Sequence, residues 1–530
     1  MPRRVCIPHR AFCTSLVLLG TAAPLLGQTG QSSRAPDAVI ASIQSAVSQS
    51  DTAAAAARVS EALTAYPADP NLHNLAGVVA AQRGETEAAE GYFRRAIELA
   101  PQAAAAYENL GRLYQERGVA QPGAMRSAID VYRRWLQMAP SSEEAAYQLA
   151  FLLTNSGAFG EGLTTIERLP APVLSQPHVA AVRVAALEGS GQTARAVTLA
   201  GRLTNDPTLN EADVIRLVPA FEKSPTSKAA LVLLEGLVRR PAATLETLRA
   251  LAALKAHGGD LAGAREVLER AFAAGPASAA TLVELARVAY RQRDFEGALG
   301  YLAHARTLEP SSAGIHFLFG VVCIELNLVN EAYESLKKAI ALDPDNPSVN
   351  YVLGAVSLHR PDPGEALAYF ERYVQLEPND PRGVFALGVA CFHTNDFDRA
   401  KVVLTQAAAR EQTAAGAHYF LGRIARQQND PENAKRHIEE SIRRVPEYAD
   451  AHAELGLIAT RQGRLEQAEA SLRRALSLDA DNYAATVNLT ALYTRTHDPR
   501  RDEMAAKLQA LQQKRADQAQ EFLRIIEVVP

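Results

Sequence analysis

Along most of the chain, apolar residues return at steps of three and four, the spacing that gives an α-helix one buried face. The helical stretches themselves return at a longer step. A bulky apolar residue followed by a small one marks the register. Leu285-Ala286, Phe319-Gly320, Leu353-Gly354, Leu387-Gly388, Leu421-Gly422 and Leu455-Gly456 are each 34 residues apart, and one step backward reaches Leu251-Ala252. Twelve residues after the small residue stands an alanine: Ala264, Ala298, Ala332, Ala366, Ala400, Ala434 and Ala468. Four residues later comes a bulky one: Leu268, Leu302, Leu336, Phe370, Leu404, Ile438 and Leu472. A proline closes many units, at Pro276, Pro310, Pro344, Pro378 and Pro446. The pattern predicts two helices per unit. The small residue lets them approach closely, the alanine meets it from the other side, and the proline ends the second helix. Polar connectors such as Thr394-Asn395-Asp396 and Arg461-Gln462-Gly463-Arg464 join the two.

These residues resemble the tetratricopeptide repeat, a helix–turn–helix unit of this period and signature. The resemblance implies an all-α fold, a right-handed superhelical solenoid of about fourteen repeats with a C-terminal capping helix. It extends backward. Ala76-Gly77, Ala89, Phe93, Ala96 and Pro101 fit a unit at 70–103, and Leu110-Gly111, Tyr114, Ala128, Tyr132 and Pro140 fit the next, with five extra residues around Gly118–Gly123. An atypical first unit at 36–69 keeps Ala55, Ala62 and Pro67 in phase. After the insertion, units begin at 143, 177, 211 and 245. The expected organisation is therefore N-terminal repeats at 36–142, degenerate repeats at 143–244, a regular array at 245–516 and a capping tail at 517–530. The stretch 143–244 departs from the pattern. Arg183 stands where leucine is expected, Val184 and Val218 replace the small residue, and Pro207 and Pro241 fall one residue early. Either a bend or plain drift of sequence would account for this. Residues 499–527 read as one long helix whose apolar residues, Met504, Leu508, Leu511 and the cluster Phe522–Ile526, would cover the last hydrophobic face of the stack.

The N-terminus follows a different pattern. Arg3, Arg4 and Arg10 precede the apolar run 14–27, and a polar linker follows at 28–35. This is the layout of a cleaved secretory signal over 1–27, and the run is short for a bilayer span. The expectation is an exported protein, periplasmic or extracellular, with no transmembrane segment in the mature chain. The formal net charge is −4, and removal of the three arginines would leave −7, so no basic excess is available for nucleic acid. Of the four cysteines, Cys323 and Cys391 lie two repeats apart, beyond disulfide reach, and read as small buried hydrophobes.

No catalytic signature is present. There is no H-E-x-x-H, C-x-x-C, G-x-S-x-G or phosphate loop, and almost every residue is already assigned to a repeat. The reading is therefore non-enzymatic, with no metal, no small-molecule cofactor, and protein or peptide ligands as partners. His73, His316, His418 and His452 share position four of their units, which points to a packing role. In the resembled family the first helices line a concave groove, reached from positions two, five, nine, twelve and thirteen. Applied by position, this implies a groove over 279–448. Phe317, Tyr351, Phe385 and Tyr419 stand at position five. Leu358 and Phe392 stand at position twelve, where Ile324 also falls. Arginines flank this floor: Arg287, with Tyr290 and Arg291, at one end, and Arg423 with Arg426 at the other. His359 and His393 occupy position thirteen. Such a surface suits an extended peptide or helix with acidic ends. Family members that clamp a C-terminal carboxylate carry asparagine at position nine. Here Arg112, Ala253, Val321, Ala355, Val389 and Leu457 stand there instead, so that mode is disfavoured. The functional expectation is a protein-binding scaffold of the cell envelope. The alternative is a substrate-recruiting subunit of a secretion, polymer-export or glycosyl-transfer complex whose catalytic chain is separate.

Overall fold

A computed structural model describes residues 34–517, apart from 119–120, 241–242, 276–277 and 361–362. The expected signal at 1–27, most of the linker, Pro241, Pro276 and the end of the tail lie outside the described residues. Among those described there are thirty α-helices and no strand. The chain divides into two compact halves, Met1–Ala271 and Phe272–Pro530.

In the C-terminal half the helices come in pairs at the expected places. They are Ala279–Arg291 with Phe295–Leu308, Ala313–Glu325 with Val329–Leu342, Pro347–Ser357 with Gly364–Leu376, and Pro381–His393 with Phe397–Ala408. Glu411–Gln427 with Pro431–Arg444, Ala449–Arg461 with Leu465–Leu478, and Tyr483–Thr496 with Arg501–Asp517 complete the half. Each pair closes on the same contact. A methyl group added at Gly320, Gly354, Gly388, Gly422 or Gly456 would stand 2.5–2.9 Å from the bulky side chain sixteen residues later, Leu336, Phe370, Leu404, Ile438 or Leu472. The carbonyl of the intervening alanine comes almost as near, 3.2–3.3 Å for Ala332, Ala434 and Ala468. The small residue is thus met by a backbone and a side chain together, and the alanine is small so that its main chain can arrive.

The turns obey a rule that the apolar pattern does not contain. The residue at position fifteen adopts a left-handed conformation in unit after unit. Arg293, Asn327, Asn395, Asn429 and Gly463 have φ between 58° and 74°, and Gly84, Gly157, Gly191 and Gly259 in the N-terminal half do the same. Glycine and asparagine tolerate this region best. The next residue caps the second helix when it is aspartate. Asp51, Asp260, Asp294, Asp396 and Asp430 each accept a hydrogen bond from the backbone N–H three residues on.

The shared position of the histidines also has a cause. His73, His316 and His452 each donate from Nε2 to the carbonyl of the proline six residues earlier, Pro67 (2.8 Å), Pro310 (2.9 Å) and Pro446 (3.0 Å). Asn350 makes the same contact to Pro344 at 3.0 Å. The side chain thus satisfies a carbonyl that the helix-ending proline leaves without a partner. No proline precedes His418 at that distance. Its helix begins early, at Glu411, and its Nδ1 lies 3.0 Å from Nδ1 of His437 instead.

In the N-terminal half the pairs Asp37–Ser48 with Thr52–Ala65, Pro70–Gln82 with Thr86–Leu99, and Ala104–Gly118 with Pro122–Met138 follow the same plan. Gly77 rests on Phe93 and Gly111 on Tyr132, and the insertion is taken up by longer helices, of 15 and 17 residues, that leave the interlock intact. From 143 the plan loosens. Glu143–Ser156 is followed by only Phe159–Ile166 and the single turn Ala171–Leu174, then Pro177–Gly189 with Thr193–Leu203. The next first helix is broken into Glu211–Ile215 and Val218–Lys223, before Lys228–Val238. Leu245–His257 with Leu261–Ala274 restores the regular form.

Cys323 and Cys391 are buried free thiols, and burial pushes the Cys323 thiol up to about 12. At the end of the chain, Met504 packs against the last apolar cluster and Leu511 is buried. No helix among the described residues is long and apolar enough to cross a membrane.

Candidate functional site

The predicted groove residues separate into three groups. The first forms a cleft between the helices Ala279–Arg291 and Ala313–Glu325. The cleft has a volume of about 160 Å³ and is lined by Ala286, Arg287, Tyr290, Arg291, Leu302, Leu318, Val321 and Val322. Its walls are mostly apolar, and the exposed Arg287 and Arg291 stand at its edge. Tyr290 is fixed within it. Its hydroxyl donates to Glu325 Oε1 at 2.8 Å, and its ring meets Phe295 edge-on at 5.4 Å. Burial, together with that bond to a carboxylate, pushes the phenol well above its usual range and keeps it a neutral donor.

The second group belongs to the core. Tyr351 and Phe392 were expected on the groove floor, but they are only 7% and 5% exposed. Tyr351 is held between Phe370, at 5.9 Å, and Tyr373, at 4.9 Å, on the second helix of its own unit. Phe392 is covered by Phe420 at 5.2 Å and Phe397 at 5.9 Å. Large rings beside the small position-nine residues Ala355 and Val389 fall inward and fill the space a groove would have used. Arg426 was expected to face a ligand, but its Nε donates to Glu454, a carboxylate only 8% exposed. It neutralises a buried charge.

The third group is half-buried: Phe317, Leu358, His359, Phe385, His393, Tyr419 and Arg423. Phe385 leans on Phe420 at 6.1 Å, and Tyr419 lies 5.2 Å from Tyr448. The guanidinium of Arg423 sits over Phe392, Tyr419 and Phe420 at 4.7, 5.5 and 5.6 Å, a cation stacked on a ring cluster. His393 lies edge-on to Phe392 at 5.5 Å. Burial first, then Arg423 and His359, holds it down to about 4, and burial also lowers His359. Both rings are therefore neutral at pH 7. Among the described residues no three or more histidine, cysteine, aspartate or glutamate side chains gather as metal ligands would.

Position counting found Arg287, Tyr290 and Arg291 but missed Leu302, Leu318 and Val322, which complete the cleft.

No curated protein matches the sequence. A model described as tetratricopeptide repeat matches residues 40–104, 86–143, 324–381 and 421–485, and a second of the same description matches 357–424. A model of anaphase-promoting complex, cyclosome, subunit 3 matches 258–339. Among solved structures, a tetratricopeptide repeat protein from Parabacteroides merdae is 17% identical, with a TM-score of 0.40 over 47% of this chain and 98% of that one. The APC/C hetero-tetramer Cut9-Hcn1 is 13% identical, with a TM-score of 0.37 over 86% of this chain and 96% of that one. Yeast Tom70 is 16% identical, with a TM-score of 0.31 over 83% and 99%. Matched over about half of its length by models of that description, the chain belongs to the tetratricopeptide-repeat family.

Proposed function

We propose that the chain is a non-enzymatic scaffold of the cell envelope that captures a segment of a protein partner in the cleft between Ala279–Arg291 and Ala313–Glu325. The observation that carries this reading is the cleft itself, an apolar cavity of about 160 Å³ with two exposed arginines at its edge. An apolar side chain of the partner enters against Leu318, Val321 and Val322. Carboxylates on either side of it pair with Arg287 and Arg291, which can bind them in a fork. Tyr290, locked to Glu325, keeps one wall in place. The remainder of the predicted groove supports this site by rigidity, since its rings and Arg426 are engaged with the protein itself.

The site is tested with an array of short acidic peptides, each carrying one large apolar residue, probed with the full chain. Val321→Trp, which fills the cleft, and the pair Arg287→Glu with Arg291→Glu should each weaken the bound peptides about tenfold or more at unchanged helicity. An unaltered binding profile in both would overturn the proposal. The envelope location rests on the arginines and apolar run of the first 27 residues. Its test is mass spectrometry of the N-terminus of protein from fractionated cells. A processed start near Gly27 in the exported fraction is expected, and an intact Met1 in the cytoplasm would refute it.

A further inference from the structure

In the N-terminal half, the departure from the repeat at Arg183 has a structural counterpart. The second helix of the unit 143–176 covers only Phe159–Ile166, eight residues, whereas Thr86–Leu99 and Phe295–Leu308 have fourteen. Pro170 cannot continue the helix, and the chain turns into the separate segment Ala171–Leu174. The residue that ends the short helix, Glu167, stands where a full-length helix would run on. Its Oε1 accepts from Arg183 at 3.2 Å and from Arg195 at 3.0 Å.

Beside this point is a cavity of about 360 Å³, lined by Arg183, Leu187, Arg195, Thr198, Leu199 and Arg202, with Ala194 at its side. Three guanidinium groups therefore surround one space, and Glu167 answers two of them with a single carboxylate. Arg202 is exposed and has no carboxylate partner among the described residues. The Nε of Arg183 is buried with no hydrogen-bond partner among them, on a side chain 26% exposed. A partly desolvated guanidinium with an unused donor favours a further anionic acceptor. In the regular units the equivalent residue is leucine or, at Phe319, phenylalanine, so an arginine departs from the apolar packing of this position.

We propose that this cavity is a second binding site, for an acidic peptide segment lying along Thr193–Leu203. Carboxylates of the segment bind Arg183, Arg195 and Arg202, and an apolar side chain rests on the half-buried Leu199. The charge balance of the walls selects the acid, and the half-buried Leu199 selects a peptide over a bare anion.

Fluorescence anisotropy tests this with a short labelled peptide alternating glutamate with leucine and alanine, and a twin with glutamine for every glutamate. The full chain carries Arg287→Glu and Arg291→Glu throughout, so that the other cleft does not contribute. The acidic peptide should bind at low salt, at least about tenfold more tightly than its twin, and should weaken as salt rises. Arg183→Leu, which restores the residue of the repeat, and Arg195→Gln should each cost about tenfold, and Arg202→Gln about threefold, at unchanged circular dichroism. Equal binding of the twin, full affinity in all three variants, or binding of inorganic phosphate without binding of the peptide would overturn the proposal.

Discussion

Between 313 and 482 every hairpin closes on one pair of residues, a glycine and the bulky side chain sixteen positions later. Between 143 and 244 that pair is missing. Gly189 lies against Phe159 of the preceding unit, and Gly236 against Thr204. Beside an apolar core, charged side chains reach across to the main chain there. Glu188, fully buried, accepts from the backbone N–H of Ala229 at 2.7 Å and of Ala230 at 3.2 Å, capping the helix Lys228–Val238 from another unit. Arg240 donates to the carbonyls of Leu209 (2.8 Å), Asp206 (2.8 Å) and Thr204 (3.3 Å). Lys223 donates to the carbonyl of Asn155 at 2.5 Å, and Glu211 accepts from the backbone and hydroxyl of Thr244. A contact that repeats fixes one geometry and propagates it, so its stability adds from neighbour to neighbour. Polar contacts made once fix one place only. The same stretch holds a short helix, a broken helix and the arginine-lined cavity.

The largest way to break this contrast is to damage the repeating interlock. Gly388→Val would press a branched side chain onto Leu404, whose Cδ2 and Cγ already lie 2.7 Å from an added methyl. A loss of about 3 kcal/mol is expected in urea unfolding, with amide exchange accelerated across 381–408. A loss under about 1 kcal/mol would show that the helices part easily. Next comes Arg240→Gln, which removes the reach to three carbonyls. About 2 kcal/mol should be lost, with faster exchange confined to 204–240 and none in the C-terminal half.

Acid sharpens the comparison from the regular side. Burial first, then His418 and Arg436, holds His437 down to about 4, below the usual value of 6.5. The folded form therefore binds fewer protons than the unfolded chain between those values. Stability is fully present above pH 6.5 and falls as pH drops toward 4, by about 1 kcal/mol near pH 5.5. His437→Gln should flatten this slope in urea midpoints measured at pH 7.5 and 5.5. The smallest effect has the opposite sign. Gly300, within Phe295–Leu308, has nothing within 4 Å of an added methyl, so Gly300→Ala should stabilise by about 0.5 kcal/mol through helix propensity alone. A destabilisation there would mean that glycines off the interlock also matter.

The sequence by itself determined the period, the helix pairs and the interlock, because each depends on residues whose size or backbone recurs in register. Gly388 and Leu404 need no coordinates to be matched. The left-handed residue at position fifteen was equally legible in Asn327, Asn395 and Gly463, although the apolar pattern passes over it. Tertiary structure alone decided which side chains of the first helices remain available. Tyr351 and Arg287 stand at neighbouring groove positions by count, yet one is wedged between two rings and the other is exposed at an apolar cleft. The outcome depends on the volumes of residues one repeat away, which set whether a space is filled. The same holds for Arg183. Its departure from leucine was visible in the sequence, but only the fold brings it to Glu167 and into one cavity with Arg195 and Arg202.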